Sequence, residues 1–223
     1  MARKAARRAP RRAPAAKRAA DPRERIVDAL MRLAAGRRFA VIGLADVAVE
    51  AGVSLSELRA HYDGKHAILA DTFKRVDRAV LDAGPAEGEG ARDRLFDVLM
   101  RRFDALAPHK AALRRILRAG RCDPMLARTL YGAAKTSMRW MLAGADIRRG
   151  GIAGMVAVRG GVAVFAEAVT VWLDDDDPGL ARTMAALDRA LRRGERAMAL
   201  VDEVCELAAP FVGARGARGP QAG

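Results

Sequence analysis

The chain has 223 residues, 51% of them apolar and only 4% aromatic, with a formal net charge of +13. That length holds one large domain or a small domain joined to a larger one, and the dominance of Ala, Leu, Val and Arg favours helices held by aliphatic packing, so the expected fold class is all-α. Cys122 and Cys205 match no zinc or redox spacing, and the N-terminus lacks the apolar stretch of a secretory signal, so free thiols in a reducing, cytoplasmic setting are expected.

Location matters more than total for the charge. Residues 1–20 carry eight basic side chains, among them Arg7, Arg8, Arg11 and Arg12, and no acid. This segment is expected to be a disordered basic arm, because Arg, Lys, Ala and Pro offer nothing to bury against the entropy of ordering. Its acid-free composition also suits an organellar transit peptide, but Pro10 and Pro14 interrupt an amphipathic helix there. Residues 21–82 hold ten basic and ten acidic side chains and are neutral as a unit.

Order begins at Asp21-Pro22-Arg23-Glu24, where Asp21 caps a helix, Pro22 suits its first position and Glu24 closes a capping box. Ile26, Ala29, Leu30 and Leu33 share one face before Gly36 ends it. A short helix fits Leu44 to Ala51 with Gly43 as a weak cap, and Gly52-Val53 makes a turn. Ser54-x-x-Glu57 then opens a third helix as a second box, with Glu57 expected to accept from the Ser54 N–H. A longer helix follows from about Lys65 to Leu81, and the breaker-rich AGPAEGEG of residues 83–90 marks the expected domain boundary.

Beyond it, Leu95, Leu99, Phe103 and Leu106 repeat at helical spacing, Pro108 starts a helix to about Ala119, and Asp123-Pro124 and Asp177-Pro178 open others, five or six in all. Ile152 to Leu173 is nearly all apolar and long enough to cross a bilayer. Arg159 and Glu167 near its middle would each cost about 2.5–3.5 kcal/mol there, so a buried helix, in the core or at a dimer interface, is expected instead of stable membrane insertion. Asp174 to Asp177 lack the alternate-residue spacing of a calcium loop and read as helix capping. With no nucleophile and base pair, phosphate-binding glycine loop or zinc pattern, no catalytic residue, metal or cofactor is expected.

Phe39, Leu44, Asp46-Val47-Ala48, Ala51-Gly52-Val53-Ser54, Leu58, His61-Tyr62, Lys65 and Ile68-Leu69 together resemble the helix-turn-helix domain of TetR-family transcriptional regulators, over about residues 22–72. The resemblance implies a DNA-binding head with connector helix (21–82), a helical ligand-binding and dimerisation body (83–210) and a disordered tail (211–223). It implies a homodimeric, ligand-responsive regulator, a repressor by expectation, on near-palindromic double-stranded DNA. By position the DNA contacts are Gly43, Leu55, Ser56, Glu57, Arg59, His61 and Lys65, with the arm arginines adding phosphate contacts that carry little sequence information. The sequence departs from the family where Gly43 and Gly64 replace hydroxyl residues, Arg59 replaces a Tyr and Glu57 often a Thr. An acid at Glu57 repels phosphates unless it accepts from a cytosine amine.

Phe103, Met138, Met141, Met155, Phe165 and Trp172 are the candidates for the wall of a pocket holding a small apolar or lipid ligand. A second resemblance supplies the alternative. Arg92-Asp93-Arg94-Leu95, Ala105 to Lys110, Val171 to Asp174 and Ala186 to Arg189 are similar to the ubiquinone-biosynthesis accessory lipid-binding proteins, which share this fold without reading DNA.

Overall fold

The computed structural model describes residues 21–213, with side chains described except at Cys205 and 208–213. The arm with Arg7, Arg8, Arg11 and Arg12 and residues 214–223 lie outside the described residues. All regular structure among the described residues is helical.

The first four helices are α1 (Pro22–Gly36), α2 (Leu44–Ala51), α3 (Leu55–His61) and α4 (Lys65–Asp82). The Asp21 side chain caps α1 by accepting from the Arg23 N–H at 3.1 Å. The expected capping box does not close, because Glu24 instead accepts from Arg75 on α4 at 2.6 Å and ties the two helices together. A 3-10 turn, Phe39–Val41, drops Phe39 into the core. Ile26, Leu30, Val47, Leu58, Ile68 and Leu69 are fully buried at the centre of this unit.

The body comprises α5 (Ala91–Leu106), α6 (Lys110–Gly120), α7 (Pro124–Gly144), α8 (Gly151–Leu173) and α9 (Ala181–Gly213). Pro108, expected to start α6, sits in a separate 3-10 turn, Ala107–His109. Asp123 caps α7 through the Leu126 N–H at 3.0 Å. Asp174 and Asp176 of the acidic run face Arg114 and Lys110 of α6, and the other two serve the start of α9. Asp175 is buried and accepts from the Thr183 hydroxyl (2.7 Å) and N–H (2.9 Å), bonds that hold its carboxyl below the usual range, while Asp177 accepts from the Gly179 and Ala181 N–H groups. No cluster of metal-ligating side chains occurs among the described residues.

Within the chain's own core the expectation of a buried apolar helix is met only in part. Only Ala168 and Trp172 of α8 are buried, because among the described residues α7 and α9 cover one side of the helix and nothing lies on the other. Ile152 and Met155 on α8 are more than half exposed, as are Leu200, Val204 and Leu207 on α9. The Arg149–Asp202 ion pair at 2.5 Å brings the start of α8 beside the later part of α9.

One contiguous core runs through both parts, with α1 packed on α6 and with α4 giving Ile68 and Leu69 to one end and Val76 and Val80 to the other. His109 lies half-buried at this junction, and burial lowers its pKa against the opposing pull of Asp28, with Arg75 lowering it further. The folded state therefore favours the neutral imidazole. Its contribution is complete above the ordinary histidine value near 6.5 and is lost as pH falls through and below it. Melting temperatures at pH 7.5 and 5 should fall less for His109→Gln than for the parent; an equal fall would remove His109 from the account.

Candidate nucleic-acid interface and ligand cavity

The turn between α2 and α3 hinges on Gly52, whose φ of 63° and ψ of 41° lie in the left-handed region that a side chain disfavours. Arg25 of α1 secures it, donating from Nη1 to the Ala51 and Gly52 carbonyls at 3.2 and 3.0 Å. Ser54 caps α3 by accepting from the Glu57 N–H at 3.0 Å. Only half of this second box forms, since the Glu57 carboxylate lies 3.8 Å from Arg25 and is not paired with the Ser54 backbone. The acid on α3 is thus partly neutralised from α1. At α2 the missing hydroxyl is replaced in the opposite sense: Asp46 accepts from the Gly43 N–H at 2.9 Å, which, with Arg37, lowers its pKa.

Leu58 and Tyr62 fasten the inner side of α3, both buried, and the Tyr62 hydroxyl donates to Asp71 on α4 at 2.6 Å, with burial raising its pKa. The outer side presents Leu55, Ser56, Arg59 and Ala60 to solvent, with Glu57 and His61 half-buried at its edges. Arg59 pairs with Asp63 at 2.7 Å, both highly exposed. Such a surface pair is worth about 0.3–0.5 kcal/mol, little enough to be exchanged for a phosphate or a guanine edge.

Lys65 stands differently from the position's expected role. Its ammonium donates to the carbonyls of Phe39, Ala40 and Ile42 at 2.8, 3.1 and 3.2 Å and sits 4.9 Å from the Phe39 ring centre. An ammonium has three N–H groups, and all three are engaged with the chain's own backbone in this arrangement. Lys65 is a strut between α4 and the turn before α2.

A cavity of about 630 Å³ opens in the body between α5, α6, α7 and α8. Met138, Met141, Phe165 and Trp172 line it. Phe103 lies one layer behind, its ring centre 4.9 Å from Phe165 and 5.5 Å from Trp172, and Met155 is on the exposed side of α8. Exposed Arg118 and Arg121 line the cavity's rim, and neither has an ion-pair partner within 4 Å among the described residues. A second hollow, about 860 Å³, lies between α4 and α7 and includes Tyr62, Asp71, Asp77 and exposed Trp140.

Between the two hollows is a polar group the sequence reading did not single out. Arg102 of α5 and Asp77 of α4 form a buried ion pair, and the Ser137 hydroxyl of α7 donates to the other Asp77 oxygen at 2.7 Å. Arg102 also lies 5.4 Å from the Phe165 ring centre and lines the body cavity. The signal was present in the spacing: Arg102 is three residues beyond Leu99 and seven beyond Leu95, a charge on an apolar stripe, and Asp77 follows Phe73 by four.

No protein-family model matches the chain, and none of the curated proteins does. Solved structures do. A TetR transcriptional regulator from Nitrosomonas europaea superposes with a TM-score of 0.62 at 21% identity, over 78% of this chain and 97% of that one. A TetR regulator from Rhodococcus sp. RHA1 gives 0.57 at 18% identity (78% and 95% covered), and one from Streptomyces coelicolor 0.51 at 18% (82% and 91%). The all-helical architecture, the braced helix-turn-helix and these superpositions give one conclusion: the chain has the fold of the TetR-family transcriptional regulators.

Proposed function

We propose that the protein is a ligand-responsive transcriptional regulator that acts in the cytoplasm as a homodimer on near-palindromic double-stranded DNA, with residues 21–82 as its DNA-binding head and 83–210 as its body. The observation that carries this reading is the maintenance of α3 as a presented helix. Its inner side is locked by Leu58 and Tyr62, its turn is held by Gly52 and Arg25, and Leu55, Ser56, Arg59 and His61 remain available to a major groove. The Gly43 N–H is taken by Asp46, so the first turn of α2 offers the N–H groups that follow it rather than a hydroxyl. The basic arm adds a sequence-independent grip on phosphates.

The dimer surface in this reading is the uncovered side of α8 and α9. Gly151–Leu173 reaches a mean hydropathy of 1.7 over its best 18 residues, of which only 11% are buried. Arg159 interrupts its exposed face and Glu167 is paired to Arg193 on α9, which disfavours lipid contact and favours a second copy of the chain as the cover. Isologous contact of the two long helices would set two heads a fixed distance apart, as a two-fold site requires.

A second reading, a lipid carrier on the same fold whose head no longer selects DNA, is favoured by Lys65 being engaged with backbone, by Glu57 and by the neutral head. Fluorescence anisotropy near physiological salt separates the two, using DNA upstream of the protein's own gene against a scrambled competitor. Chains with and without residues 1–20 should both prefer the upstream DNA, and Arg59→Ala should cost about 1–3 kcal/mol of that preference. Loss of discrimination in both parent chains would sink the regulator reading and direct attention to lipids bound in the body.

A further inference from the structure

The body cavity is apolar within, yet its charged lining is one-sided. Arg102, Arg114, Arg118 and Arg121 face one acid, Asp174, which lies 3.6 Å from Arg114 and is matched by it. Arg118 and Arg121 at the rim are exposed. Arg102 is the deep member, almost fully buried, and among the described residues only its Nη1 has a hydrogen-bond partner, Asp77. A guanidinium carries five N–H donors in a planar fork suited to a carboxylate. The remaining guanidinium donors are open to the hollow, so Arg102 has unused capacity at the wall of an otherwise greasy cavity.

Resting on the reading of this cavity as the effector site, we infer that its ligand is an apolar monocarboxylate whose head group competes with Asp77 for the Arg102 guanidinium while its chain lies against Met138, Phe165 and Trp172. Rim arginines draw the anion in, and the interior accepts the hydrocarbon. The competition has a direction. Asp77 belongs to α4, the helix that runs from the head, so a carboxylate taking Arg102 leaves Asp77 held by Ser137 alone and loosens α4 from α5. The ligand thereby acquires different affinities for the tied and untied positions of α4, which control of the head requires.

Trp172 reports on occupancy. The chain has two tryptophans, and Trp140→Phe removes the exposed one. In the full-length chain with that change, decanoate is titrated against Trp172 emission, with 1-decanol as the neutral isostere. Saturable binding of decanoate is expected, with decanol about tenfold weaker or more. Asp77→Asn, which keeps an acceptor for Ser137 and removes the competing charge, should tighten decanoate several-fold and leave decanol unchanged. Equal affinity for acid and alcohol in the Trp140→Phe chain overturns the role of Arg102 while leaving an apolar effector cavity, and needs no change at the charge pair. A folded Asp77→Asn chain that binds decanoate no tighter overturns the competition. Absence of binding by either probe overturns the cavity reading itself.

Discussion

Replacing Arg102 by methionine should lower stability by about 3–5 kcal/mol, because it leaves the Asp77 carboxylate buried with only the Ser137 hydroxyl for company. The charge pair is the one ion pair in the described structure with both side chains less than a tenth exposed. Desolvation of both partners has already been incurred, so removing one forfeits the attraction and keeps the other's penalty. Arg102→Met combined with Asp77→Leu should recover most of the loss, since an apolar pair of similar bulk restores packing without a stranded charge. Urea denaturation of the two single variants and the double variant closes the cycle. Additive losses would show that the two residues act separately. The pair is better understood as a device for fixing α4 against α5 than as a source of net stability.

The second large effect is on assembly. Met155→Glu with Leu200→Glu places acids on the uncovered surface of α8 and α9, where the parent side chains are 52% and 62% exposed. A two-fold contact doubles every change, bringing four new carboxylates into one interface. Sedimentation should show a monomer at micromolar concentration, with melting of the single chain little altered. Affinity for a palindromic site should fall about 10²–10⁴-fold, because the second head is no longer held at high effective concentration by the first. A variant that stays dimeric with parental DNA affinity would place the subunit contact elsewhere.

Much of the architecture was legible because it depends on short-range pattern. The spacing of Ile26, Ala29 and Leu30, the left-handed turn at Gly52, and the caps at Asp21, Ser54 and Asp123 are decided within a few residues. What failed was the choice between local and distant partners. Glu24 and Glu57 stand at capping-box spacing, yet each finds an arginine from another helix, Arg75 or Arg25, which only the crossing geometry brings near. Hydropathy identified α8 as a long apolar helix but does not say what covers it, and among the described residues only 11% of its most apolar 18-residue window is buried. In the body, Met138, Met141, Phe165 and Trp172 come together around one cavity, whereas Phe103 and Met155, of the same residue types, lie behind it and outside it. Arg102 and Asp77 were readable as charges out of place on apolar stripes; their mutual distance was not.

The sharing of α1 and α4 between head and body has a consequence for how the molecule comes apart. Ile26, Leu30, Leu58 and Leu69 of the amino-terminal unit and Leu99, Phe103 and Ile116 of the body belong to one core cluster, and α1 packs on α6. Severing the chain in the 83–90 connector is therefore expected to leave an amino-terminal fragment with the α6-facing surface of α1 and the α5-facing stripe of α4 bare to water. Heat or denaturant is expected to melt the helix-turn-helix and the body together, and a lesion deep in the body, at Leu99 or Ile116, to weaken the helix-turn-helix some distance away through the shared melting equilibrium alone.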